Sequence, residues 1–199
     1  MGPSTLQAVN IVLDAIGETP VSSLSSGLPD AEAAKAKIDE VSKSVQAKGW
    51  HQNSDIKLKM TPDTNSNIII PDTYLRVDTT STSKSINVTV RRNGDSNMLY
   101  DIKEQRFTFT AYIWCDVTHH LDFENLSVEL STYIAYRAAR RFQEAQMSSI
   151  ALDNFTMRAE MEAYAALMDA ETENEDSNIL TDSAHCRYAT YRNHRLSGF

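Results

Sequence analysis

Apolar residues recur at helical spacing near the start of the chain and again through its second half, and between these stretches the period drops to two. The first helical stretch, VNIVLDAIGETPVSSL at residues 9–24, follows Ser4, a good N-cap, and stops at Gly17, which suits a left-handed C-terminal cap. At about 100° per residue, Gln7, Asn10 and Asp14 fall in one narrow wedge, and Leu6, Val9, Ile11, Val12, Leu13 and Ile16 take most of the remaining circumference. That much apolar surface requires cover from two sides. Pro20 keeps its predecessor extended, so Val21 and Leu24 are expected to fold back over the helix end. A second helix is expected from an N-cap at Asp30 to Lys48, with Gly49 as its stop and Ala34, Ile38, Val41 and Val45 as a single stripe. The two form a helical hairpin.

From Trp50 onward the alternation is that of strands. DIKLKM (55–60) sets Ile56, Leu58 and Met60 against lysines, and SINVTVRR (85–92) runs into Asn93-Gly94, a strong hairpin signal. RFTFTAYIWCDV (106–117) puts Phe107, Phe109, Ala111, Ile113, Cys115 and Val117 on one face. A small, half-exposed antiparallel sheet follows, with TTSTSKS (79–85) as a mobile loop.

Helical period returns near Glu124 and lasts to about Gln146, with Leu126, Leu130, Tyr133, Ile134, Ala138, Phe142 and Ala145 on one arc. Arg137 and Arg141 fall inside that arc, either snorkelling along the core edge or pairing with carboxylates of this chain or a neighbour. The last helix, from near Ser149, has two opposed apolar faces. One carries Ile150, Met157, Met161, Tyr164, Ala165 and Met168; the other carries Leu152, Phe155, Ala159, Ala163, Ala166 and Ala170. The expectation is that the methionine face carries the core and the flat alanine face meets a neighbouring copy. A compact bundle with both faces internal is the alternative.

The 199 residues are 41% hydrophobic, a globular composition, without an apolar run near the roughly 20 residues that span a bilayer and without a signal-peptide pattern. A cytosolic product is expected, so Cys115 and Cys186 form no disulfide framework and the sequons at Asn87 and Asn125 carry no meaning. The net charge of −8 disfavours a protein that grips nucleic acid. An acidic run, DAETENED (169–176), precedes a tail with Arg187, Arg192 and Arg195, which reads as two solvated segments or as a tail that docks on an acidic partner.

Candidate chemistry is thin. There is no phosphate-binding glycine loop, no HExxH and no CxxC pair. Cys115, Asp116, His119 and His120 lie close together, yet on a strand end their spacings do not converge as zinc ligands would, and Cys115 is expected to pack inward. No catalytic, metal or cofactor site is assigned.

Several stretches, in order, nonetheless carry a resemblance: AVNIVLDAIGETPVSSL, KGW at 48–50, NIIIPDTYLRVD at 67–78, RRNGDSNMLYD at 91–101 and YIAYRAARRFQ at 133–143 with its acidic continuation. Across nearly the whole chain the sequence resembles the tail tubular protein A family, the head-to-tail adaptor or gatekeeper of short-tailed bacteriophages of the podovirus and autographivirus type. It departs from the family at Ser127, where the family carries Pro before the third helix. The resemblance implies an α+β fold: an antiparallel helical bundle with an inserted small antiparallel β-sheet and an extended C-terminal tail. Residues 1–50 would form the first half of the bundle, 51–120 the insertion, 121–172 the second half and 173–199 the docking tail. It also implies a structural virion protein assembled in the host cytoplasm. Its copies would form a twelve-fold ring between the portal protein and the tail nozzle (tail tubular protein B), through which genomic duplex DNA passes without specific binding and without a membrane. Leu152, Phe155, Ala159, Ala163 and Ala166 with Arg137 and Arg141 are the expected subunit interface, and Arg187, Arg192 and Arg195 the portal-docking residues. The alternatives are a tail-associated hydrolase acting on envelope glycans or peptidoglycan, which needs a carboxylate pair facing a cleft, and a generic binding module.

Overall fold

The computed structural model describes residues 2–25, 27–80, 83, 86–147 and 150–174, apart from the side chains of residues 150–152. The expected docking tail beyond residue 174, most of the 79–85 loop, Ser149 and the Leu152 side chain therefore lie outside the described residues. Among the described residues the fold is α+β. Helices α1 (Thr5–Asp14) and α2 (Pro29–Gln46) precede six strands, and α3 (Val128–Met147) and α4 (Ile150–Asn174) follow them.

Helix α1 starts as its sequence demands. The Ser4 hydroxyl accepts from the Gln7 amide, and the Gln7 side chain accepts from the Ser4 amide in return. It ends in a tight reversal: Gly17, at φ +78, donates to the Asp14 carbonyl and Glu18 donates to that of Leu13. That φ is one glycine adopts at little cost. Val21 folds back and is buried, whereas Leu24 stays exposed. What holds the elbow is a contact that periodicity does not reveal. The Asn10 side chain donates to the Val21 carbonyl (3.0 Å) and accepts from the Val21 amide (2.8 Å), so one amide clamps both polar groups of a single residue. Helix α2 is not capped by Asp30; it begins at Pro29, whose missing N–H costs nothing in a first turn. α1 is covered by α2 and by α3, the two-sided cover its apolar circumference required. α3 starts at Val128 with Ser127 in the capping position: the Leu130 amide donates to the Ser127 hydroxyl, 3.3 Å away. Ala145, expected on the inner arc, is exposed.

The strands form two three-stranded sheets instead of one: β1 (Ser54–Met60), β6 (Ile113–His119) and β3 (Tyr74–Thr79) in the order β1-β6-β3, and β2 (Ile69–Ile70), β5 (Ser96–Asp101) and β4 (Val88–Asn93) in the order β2-β5-β4. All pairings are antiparallel, and the inner faces share a core around Leu99, Ile113, Cys115 and Val117. The expected strand over 106–117 is regular only from Ile113; Phe109 still reaches the core, but Ala111 is exposed. The alternation in β1 is also interrupted. A bulge between Asp55 and Leu58 puts Lys57 at φ +58 and leaves Ile56 77% exposed, and the Lys57 amide is satisfied by the Asp116 carboxylate at 2.9 Å.

The helical core and the sheet core are separate clusters, joined where the chain leaves α2 and returns after β6. The joint is polar, and the side-chain amides of Gln46 and Asn53 are fully paired. The buried Gln46 amide donates to the Leu121 carbonyl (2.9 Å) and to the Ser42 hydroxyl, and accepts from the Leu121 amide (2.8 Å). Asn53 donates to the carbonyls of Gln46 and His119 and accepts from the Trp50 amide. The Trp50 indole caps the Val45 carbonyl at 2.8 Å, and Gly49, at φ +80, lets the chain turn into this arrangement. Replacing Gln46 by Leu is expected to strand both polar groups of Leu121 and to cost about 2–4 kcal/mol. Thermal unfolding should record this as a fall in Tm of roughly 4–16 °C; an unchanged Tm would show that the joint contributes nothing.

Candidate assembly interface

Helix α4 is positioned by α3 through a run of cross-helix contacts. Tyr133 packs on Tyr164 with ring centroids 5.2 Å apart. Arg137 donates to the Tyr133 hydroxyl (2.7 Å) and to Glu160 (3.0 Å). Arg140 donates to Asp153 (2.7 Å) and Glu160 (3.2 Å), with Glu144 of its own helix 3.3 Å away. Thr156 donates to the Gln143 side chain at 2.7 Å. Beyond this polar section, Ala163 and Leu167 enter the helical core, Leu167 to 1% exposure. Burial pushes the Tyr133 phenol above its usual range, against the opposing pull of the Arg137 cation. The Asp153 carboxylate, before the other causes, holds Arg140 protonated.

The inward stripe is thus Asp153, Thr156, Glu160 and Leu167, lying between the two apolar faces read from the sequence, with Ala163 from the edge of the alanine face. The methionine face does not carry the core: Met161 is 62% exposed, and Tyr164 and Met168 are open as well. On the alanine face, Phe155 is 76% exposed, Ala166 is exposed, Ala159 is half-buried and Ala163 is buried by its own chain. Arg137 is half-buried and paired with Glu160 of its own chain. Arg141 is half-buried on the side of α2, where, after the dominant Lys37, its charge helps lower the Glu40 carboxyl below its usual range. Arg187, Arg192 and Arg195 fall outside the described residues.

Arg140, Asp153 and Glu160 are the residues sequence reading missed. The signal was present: arginines three apart on one helix and carboxylates seven apart on the next can face each other in pairs. Arg140 lies one residue, about 100° of helix, from Arg141, outside the apolar arc on which the sequence singles out Arg137 and Arg141.

Elsewhere the chemistry-bearing residues disperse. Cys115 is buried, and its thiol is pushed up to about 11, chiefly by burial. Asp116 is engaged with the Lys57 amide, and His119 meets Asp55 at 2.7 Å. Among the described residues no group of three or more His, Cys, Asp or Glu could hold a metal, and no helix is long and apolar enough to cross a membrane. The cavity of about 270 Å³ between the α2 end and the β1-β6-β3 sheet is open and lined by residues of both charges, among them Lys48, Asp55, Arg76, Asp78 and Asp116.

Residues 6–177 match a family of structural components of bacteriophage tails. The chain belongs to that family, described as tail tubular protein. It is similar to tail tubular protein A of Klebsiella phage KP34, 26% identical over 130 residues, a stretch that spans 65% of this chain and 66% of that protein's length.

Two outcomes test the geometry. Replacing Glu160 by Gln leaves Arg137 and Arg140 short of charge, and because both are partly solvated the cost is expected at about 1–3 kcal/mol. Chemical denaturation would read it as a lower midpoint at unchanged slope. In a Cys186→Ser background, Cys115 should resist a thiol reagent at pH 8 until the protein is unfolded, since only the thiolate reacts; prompt labelling of the native protein would contradict its burial.

Proposed function

We propose that this tail protein is a head-to-tail adaptor. Its copies form a ring, twelve-fold by family resemblance, that joins the portal protein above to the tail nozzle below and encloses part of the channel through which the genome is retained and ejected. The observation that carries the reading is α4. Ion pairs fix one stripe of this helix on α3, and the same helix exposes Phe155 and Ala166 on one flank and Met161 and Met168 on the other. Large exposed apolar residues on a rigid helix mark an interaction surface.

The helices are arranged as an antiparallel bundle split by the insertion at 51–120, and residues 173–199 with Arg187, Arg192 and Arg195 serve as the portal-docking tail. The charge distribution favours transit of DNA over its capture. Residues 1–50 and 121–174 hold sixteen Asp and Glu against eight Lys and Arg, while 51–120 holds eight of each and 175–199 three of each, so the whole net charge of −8 resides in the helical part. A wall with that balance repels phosphates.

Electron microscopy of the protein mixed with its portal is expected to show closed rings. Ala166→Glu and Phe155→Glu should stay folded by circular dichroism and fail to close rings, and deletion of 173–199 should abolish attachment to the portal. Normal assembly of the α4 variants would remove α4 from the interface, and full attachment of the truncated chain would remove the tail from portal docking.

A further inference from the structure

One surface outside α4 is apolar and unclaimed: the outer face of the β2-β5-β4 sheet. Ile69 lies opposite Met98, Met98 opposite Arg91, and Tyr100 opposite Thr89. Residues paired directly across strands project to the same side. The other side carries Ile70, Val88 and Leu99 into the sheet core. On the outer side Ile69 is 56% exposed. The Arg91 guanidinium lies 3.9 Å from the centroid of the Tyr100 ring, and Tyr100 meets Phe107 edge-on at 4.9 Å. Arg91 is the one charged residue that the strands β2, β4 and β5 place on this face. Aromatic, methionine and arginine side chains on a sparsely charged patch are the composition of an interface centre.

We infer that this face receives α4 of a second copy, with Arg91 set against the acidic residues that border the exposed methionine strip. The inference rests on the adaptor reading. Charge selects the occupant: the insertion is neutral, and the chain's entire excess of carboxylates lies in the helical part. Among these, Asp169 is exposed on α4 next in sequence to the exposed Met168. Glu162, next to the exposed Met161, lies 3.3 Å from Arg158 of the same helix, so Asp169 supplies the excess negative charge of this border. A sheet face that is apolar and cationic and a helix strip that is apolar and acidic complement each other in both respects. Each copy carries both surfaces at different places, so the contact is heterologous and repeats from copy to copy, as a ring requires.

A charge swap tests it on the full-length chain mixed with portal. Arg91→Glu and Asp169→Arg, each alone, are expected to weaken ring closure by roughly tenfold in the protein concentration required. The double variant should recover it, because the two exchanged charges are again opposite in sign across every contact of the ring. Ile69→Ser, which leaves the charges alone, should weaken closure without being rescued by Asp169→Arg. Circular dichroism confirms that each variant is folded. If wild-type rings form and Ala166→Glu blocks them while Arg91→Glu assembles normally, or if the double variant is no better than the singles, this inference is wrong and the adaptor reading stands. If the wild-type protein forms no ring on the portal, the adaptor reading fails and this inference falls with it.

Discussion

The buried amides of Gln46 and Asn53 are the constraint on which the rest depends. A chain that places six strands between two pairs of helices must cross from one core to the other twice, and both crossings expose backbone groups that cannot be left unpaired. Gln46 takes both polar groups of Leu121, and Asn53 takes carbonyls from the outgoing and the returning segment. Each amide has a donor and an acceptor in fixed relative position, so satisfying one crossing places the other. An apolar contact there would be as compact but would not set the angle at which the helices carry the sheets. The KGW stretch acquires its meaning here: the Lys48 amide donates to the Val45 carbonyl just past the helix end, Gly49 permits the turn, and Trp50 fills the helical core while its indole satisfies the same carbonyl.

Helix α4 is oriented by different means. Its apolar residues are distributed so that no single face is preferred, and hydrophobic burial alone would allow several rotations about its axis. Charge breaks the tie. Asp153 and Glu160 each have an arginine opposite them on α3, and turning the helix to bury its methionines would strip those pairs of their partners. Ion pairs of this kind add little net stability, because desolvation offsets most of the attraction, but breaking one is costly, which makes them effective in selecting one arrangement. The result is a helix that buries Leu167 and keeps Phe155, Met161 and Met168 outside, available to another molecule.

The division of charge follows the division of the fold. The sheets are neutral and the helices acidic. Copies brought side by side with helices against helices would oppose like charges, whereas sheet against helix would not. In the proposed ring, this asymmetry would favour a directional contact over a self-complementary one.

Much of the local structure was legible along the chain. The Ser4 cap, the Gly17 and Gly49 stops, the wide apolar girth of α1 and the presence of a hairpin near Asn93-Gly94 follow from backbone sterics and spacing, which act within a few residues. The turn itself is Gly94-Asp95, with Asn93 ending β4 opposite Ser96. The short strands β2 and β3 were passed over because two-residue and bulge-broken strands carry too little alternation to register. The alternation in β1 misled at Ile56, where a bulge paired with Asp116 shifts the side chains by one position. The sequence by itself determined roughly where each helix starts and stops and which residues are greasy enough to seek cover. Only the tertiary structure decided which of them obtained it. Cover is a property of the partner across the gap: Asn10 reaching Val21, Gln46 reaching Leu121 and Arg140 reaching Asp153 are separated by 11, 75 and 13 residues. Spacing within one element does not encode the face of another.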